Sequence, residues 1–296
     1  MKVVKPTPFV EGLHLVSSSA TDWIAAWSST VTYAIGAVVR YGGRLYESLA
    51  VSSGSGSVPA ITPLTWMDIG PDNAHAMFDD QISTATAASG SLTVVLSPGI
   101  CNSLALLGLA GGSARVTLLD APGGAVVYDK TITLEGSIVS DWYQWCFEPF
   151  VQLDQVVLTD LPPYSHSRLT VTLSGSGSVQ IGQLLFGTFY TLGDLEYGAT
   201  AGITDYSRKE TDEFGVTTFV RRAFSKRMTG RLMLDNAQLN KVQRVLSDVR
   251  ATPCVWVGVE DGSYLPLSVF GFYKDFTLEV AYPTASYCSL EIEGLT

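Results

Sequence analysis

The run DNAQLNKVQRVLSDVR, residues 235–250, decides the fold. Its apolar positions Leu239, Val242, Val245, Leu246 and Val249 recur at helical spacing and share one face. Asp235 supplies a side-chain acceptor for the first free backbone N–H groups, and Gln238 three residues on completes a capping box. Arg250 falls in the last turn, where the helix dipole favours a cation, and Thr252 precedes a proline that disfavours further helix. No other stretch joins this period to these caps. A single amphipathic helix among strands has to pack against a sheet or barrel, which predicts a mainly β scaffold rather than an α/β catalytic fold.

Around the helix the third compositional block, 191–296, reads as strands. Residues 216–234 alternate, with Phe224, Met228, Leu232 and Leu234 on one side and Ser225, Arg227, Thr229 and Arg231 on the other. After the helix come PCVWVGV, LPLSVFGFYKDFTLEV and SYCSLEIEGL, three further strands. The order predicts a β-barrel or sandwich plugged by one helix.

The second block, 71–190, predicts a β-sandwich. Its strand-like segments are 92–96, 103–109, 115–119, 126–129, 131–134, 156–158, 169–173 and 179–186. PG, AGG, APGG, LPP and SGSGS supply the turns between them. DWYQWCFEPF, residues 141–150, is a dense aromatic patch, read first as core or interface packing and second as a ligand platform. The first block, 1–70, is a small aromatic-rich β module. Gly42-Gly43 predicts a short hairpin, SSGSGS a flexible loop, and Trp27, Tyr33, Tyr46 and Trp66 supply the burial so small a module needs.

Composition narrows the function classes. Of the 296 residues 46% are hydrophobic and only 16% charged, so surface hidden in an assembly is expected. No apolar run reaches the roughly 20 residues of a membrane span, and Pro6, Pro8 and Glu11 interrupt any signal-peptide core, which predicts synthesis and folding in a cytoplasm. Cys101, Cys146, Cys254 and Cys288 make no C-x-x-C pair and read as buried free thiols. The net charge of −10 argues against general nucleic-acid binding, and no sequence-specific nucleic-acid partner is expected. Residues 207–250 nevertheless hold ten lysines and arginines against five acids, a local +5 between acidic flanks. Such a split suits complementary contacts between copies of one subunit, or a solvated basic face.

Catalytic and metal signatures are not found. His14, His75 and His166 are isolated, and no P-loop, G-x-S-x-G or G-x-G-x-x-G sequence occurs. The adjacent acids Asp79-Asp80 and Asp212-Glu213 are the nearest approach to a glycosidase pair, and turn or surface roles account for them. The chain is therefore expected to be no enzyme, with no catalytic residue, no metal and no cofactor.

Two family resemblances enter here. Residues 23–66, with a Trp and then Tyr33, Gly36, Val38, Tyr41, Gly43, Tyr46, Pro59 and Trp66, resemble the small chitin- and cellulose-binding carbohydrate-binding modules. The resemblance implies a tiny β-scaffold whose aromatics stack on sugar rings, with Trp27, Tyr33, Tyr41, Tyr46 and Trp66 as candidates. After Tyr46 the chain departs from that family, with Glu47-Ser48-Leu49-Ala50 where exposed aromatics are usual, and scaffold use of the same aromatics stays open.

The remainder resembles tail-tip or baseplate structural proteins of long-tailed bacteriophages, of the distal tail protein kind. The resemblance rests on NAHAMFDDQISTAT, DWYQWCFEPF, VVLTDLPPY, the run from Val179 to Gly215, LSDVRATPCVWVG and SLEIEGL. It implies a tail-tube-like barrel with one helix, assembled as a homo-oligomeric ring of sixfold or threefold symmetry. Such a ring joins the tail tube to hub and baseplate proteins in the virion. Arg221, Arg222, Lys226 and Arg227 are then the candidate inter-subunit residues. The alternative is a receptor-binding protein that recognises a host-surface glycan through its N-terminal module.

Overall fold

The computed structural model describes residues 1–295 except 54–55, 80, 82, 137–140, 148, 150, 213 and 260–263. The protein is mainly β, with a curled half-barrel sheet and short helical segments. Its chain divides into two compact units, Met1–Thr7 with Gly187–Thr296, and Pro8–Phe186.

In the first unit the sheet is antiparallel throughout. Its strands run in the order 187–191, Lys2–Pro6, Cys254–Val257, Ser268–Glu279, Ala285–Gly294 and Phe224–Asp235, with Asp194–Leu195 and Thr200–Asp205 along the last edge. Lys2–Pro6, which the sequence places at the head of the small N-terminal module, is a strand of this sheet. Lys2 pairs with Thr191 on one side and Val257 on the other. Val3 and Val4 have no exposed surface, so burial on both faces explains their adjacency.

The helical run forms as a 3₁₀ turn, Asn236–Gln238, followed by the α-helix Leu239–Asp248. Asp235 Oδ1 accepts from the Ala237 N–H at 3.0 Å, whereas no return bond from Gln238 is present among the described residues. Val242, Val245, Leu246 and Val249 are buried with Leu232, Leu234, Trp256 and Cys288. The indole N–H of Trp256 donates to the Gly271 carbonyl at 3.0 Å, satisfying the one polar atom this large side chain brings inside. The alternation expected before the helix holds at Met228, Leu232 and Leu234. It inverts at its start, where Phe224 is exposed and Ser225 is buried within 3.3 Å of the Tyr206 hydroxyl.

The second unit holds a five-stranded antiparallel sheet in the order Val126–Thr133, Ser113–Leu119, Arg168–Ile181, Thr86–Leu96 and Leu15–Ser18. Its inward residues Leu92, Val94, Leu96, Val116, Leu118, Leu169, Val171 and Leu173 share one core with Leu104 and Leu106 of Ser103–Leu107 and Val156 and Leu158 of Gln155–Leu158. Two expected breaks between strands are absent. Val126–Thr133 is one strand, and SGSGS is a bulge inside Arg168–Ile181, where the register slips between Ser174 and Ser178. A Cβ on Gly175 would lie 2.9 Å from Val179 Cγ1 and 3.3 Å from the Gly112 nitrogen, so the small residues let two segments pass closely.

Candidate functional site

The aromatic module is built on Val38–Tyr41, Arg44–Ser48 and Trp66–Pro71. Gly42 and Gly43 turn the hairpin with φ of 57° and 74°, the left-handed conformations that a two-residue turn between twisted strands requires. Trp27 is held beside this sheet because its N–H donates to the Arg40 carbonyl at 2.8 Å.

The five candidate sugar-stacking residues divide. Trp66 is 2% exposed and Tyr46 8%; with Val39 they are the core of the module, so neither offers a ring face to a ligand. That corrects their assignment, and the indole of Trp66 is further committed by donating to Ser57 O at 2.9 Å and Ser57 Oγ at 3.0 Å. Tyr33 packs edge-on against Trp66, with centroids 5.4 Å apart, and its hydroxyl accepts from the Ser28 N–H at 2.8 Å. Trp27 and Tyr41 form an edge-to-face pair at 5.5 Å nearer the surface. Trp23, which the family pattern did not single out, is fully exposed.

The second aromatic run behaves in the opposite way. Trp142–Phe147 is a short α-helix, capped where the Gln144 N–H donates to Asp141 Oδ1 at 2.8 Å. Trp142, Tyr143, Trp145 and Phe147 are all exposed, as is Cys146. The core reading of this run is therefore corrected; Glu148 and Phe150, which belonged to it, lie outside the described residues. Cys101, Cys254 and Cys288 are buried, and burial pushes their thiols up to about 11, 12 and 11.

The four candidate inter-subunit cations lie in sequence beside or beyond a hairpin whose second strand falls in the stretch 216–234 read as alternating, which the structure divides into Thr217–Val220 and Phe224–Asp235. Arg208–Thr211 pairs with Thr217–Val220, and every residue of both strands is exposed. Asp212 Oδ1 accepts from the N–H groups of Phe214 and Val216 at 3.0 and 2.8 Å, building the turn. The signal was present: an Asp-x-x-Gly turn followed by the β-branched, aromatic run TTFV. Arg221 and Arg222 are exposed where the hairpin returns to the sheet. Lys226 and Arg227 are adjacent in Phe224–Asp235, opposite Ile203 and Gly202, and so project from opposite faces. The four do not converge on one patch.

His14 is a structural residue: its Nδ1 accepts from the Val10 N–H at 2.9 Å, and burial lowers its pKa. His75 sits in a charged cluster that sequence spacing does not reveal. Its Nδ1 is 2.5 Å from Asp72 Oδ1 and its Nε2 2.7 Å from Glu11 Oε2. Burial opposes the charge on both His75 and Asp72. Their mutual hydrogen bond and attraction outweigh it, so the His75 pKa is raised and that of Asp72 lowered. Asp79 accepts from Thr84 Oγ1 and the Gln81 N–H, a turn role. Its neighbour Asp80, and Glu213 beside Asp212, lie outside the described residues.

Among the described residues no group of histidines, cysteines and acids could hold a metal ion, and no helix is long and apolar enough to cross a membrane. No protein-family model matches the chain, and no curated protein matches it in sequence.

Proposed function

We propose that this protein is a non-enzymatic structural subunit of a bacteriophage tail tip or baseplate. It would assemble with copies of itself into a distal-tail-like ring connecting the tail tube to the hub or receptor-binding apparatus. One observation carries the reading: the hairpin Arg208–Thr211/Thr217–Val220 has both faces in solvent and holds out Phe214, Val216 and Phe219. A two-stranded ribbon is marginal alone in water, and apolar residues on it are stabilised when a neighbour covers them. The basic stretch around it and the acidic remainder supply the complementary charge of a head-to-tail contact.

Light scattering coupled to size exclusion tests the reading. The intact chain is expected to form a closed oligomer, sixfold or threefold. Replacing 207–222 by a short Gly-Ser turn is expected to leave a folded monomer. A chain that stays monomeric at high concentration, and is absent from purified virions, overturns it.

A second reading, recognition of a host-surface glycan by the N-terminal module, draws on exposed Trp23 and the Trp27–Tyr41 pair. Saturable binding on a glycan array, lost in Trp27→Ala without unfolding, is the result that reading requires.

A further inference from the structure

The polar face of the helix Leu239–Asp248, together with Lys5 and Tyr190 from the neighbouring strands, borders a groove of about 430 Å³. All of its walls belong to the first unit. Lys5, Lys241 and Arg244 bring three positive charges to it, and none forms an ion pair within 4.0 Å among the described residues. Elsewhere many surface cations of the chain are paired, Arg44 with Asp68 and Arg115 with Asp129 among them. Three unpaired cations facing one concavity mark a place for an anion.

The rest of the lining says which kind. Asp248 and Asn240 stand among the cations, and Val245 and Val249 form an apolar floor. A carboxylate at this position repels a uniform polyanion such as a nucleic-acid backbone, but it is a strong acceptor for hydroxyl donors. Asn240 both donates and accepts, and Tyr190 offers a ring with a hydroxyl. The volume lies within the range of small-ligand sites, room for one or two sugar rings. We propose that this groove binds an anionic saccharide, a sugar bearing a carboxylate or phosphate. Lys5, Lys241 and Arg244 hold the charged group, Asp248 and Asn240 the hydroxyls, and the apolar floor with Tyr190 takes the carbon face of the ring. This site is separate from the aromatic module and does not depend on ring assembly.

Isothermal titration of the full chain with digalacturonic acid and glucose 6-phosphate, against glucose, inorganic phosphate and a DNA duplex, tests it. The two anionic sugars are expected to bind and glucose to bind weaker by about tenfold or more, the loss of a charge-assisted contact. Lys241→Glu with Arg244→Glu, both exposed and outside the core, is expected to abolish binding with the thermal midpoint unchanged. Asp248→Ala is expected to weaken the sugar phosphate, which loses its hydroxyl acceptor, but not inorganic phosphate, whose binding the lost negative charge can only favour. The proposal is overturned if neither anionic sugar binds, if inorganic phosphate binds as tightly as the sugar phosphate, or if the duplex competes. A charge-reversed variant that changes oligomeric state would instead assign the groove to a subunit interface, and also overturns it.

Discussion

The module around Trp66 and the helix Trp142–Phe147 are both short runs dense in tryptophan and tyrosine, yet one set of rings is largely inside and the other outside. Composition does not separate them. In the module three strands supply backbone partners and Ser57 accepts the indole N–H of Trp66. The Trp142–Phe147 helix has six residues and no buried one. An aromatic is buried where neighbouring backbone can enclose its ring and satisfy its polar atom.

The largest effect that could break this contrast is at Trp66. Trp66→Ala should destabilise the module by about 3–5 kcal/mol, seen as an early loss of near-ultraviolet dichroism, whereas a shift under 1 kcal/mol would place Trp66 outside the core. Next is pH. His75, its pKa raised, contributes stability present in full below its ordinary 6.5 and lost as pH rises through the folded-state value. Asp72, its pKa lowered, contributes above its ordinary 3.8 and loses it as pH falls through its own folded value. Denaturant melts across this range should show a decline on the alkaline side that is absent in His75→Gln.

Thiol labelling sharpens the same contrast. Cys146 should react with a maleimide in the native protein at pH 7 while Cys101, Cys254 and Cys288 react only on unfolding; mass spectrometry counting more than one adduct would contradict their burial. The smallest effect is expected at Trp145, where replacement by Ser should change stability by about 0.5 kcal/mol or less, with a midpoint shift to match.

Much of the first unit was legible. The period of 239–249 and the alternation at Met228, Leu232 and Leu234 follow from local rules, because the helix and the strand before it each show one face to the core. The SGSGS bulge was not legible, since Gly175 passes close to Gly111 and Gly112, far away in sequence. Nor was the place of Lys2–Pro6, whose partners lie about two hundred residues on. The polar face of the helix could be named from sequence as Asn240, Lys241, Arg244 and Asp248, but Lys5 and Tyr190 reach it only through tertiary pairing. The hairpin at 208–220 carried a turn signal, yet both its faces are exposed, so the alternation read from 216 onward marks no buried side until Phe224–Asp235.

The place of Lys2–Pro6 between residues 187–191 and Cys254–Val257 also sets an order of events in time. During synthesis this strand emerges early but cannot find its second neighbour until residue 257 has left the ribosome. By then all of Pro8–Phe186 has been made and can already have closed around its own core. Loop closure over so long a span is slow, so the first unit should be the late and rate-limiting one to mature. Until then the unpaired edges of its sheet are the part of the nascent chain that most needs a chaperone's protection.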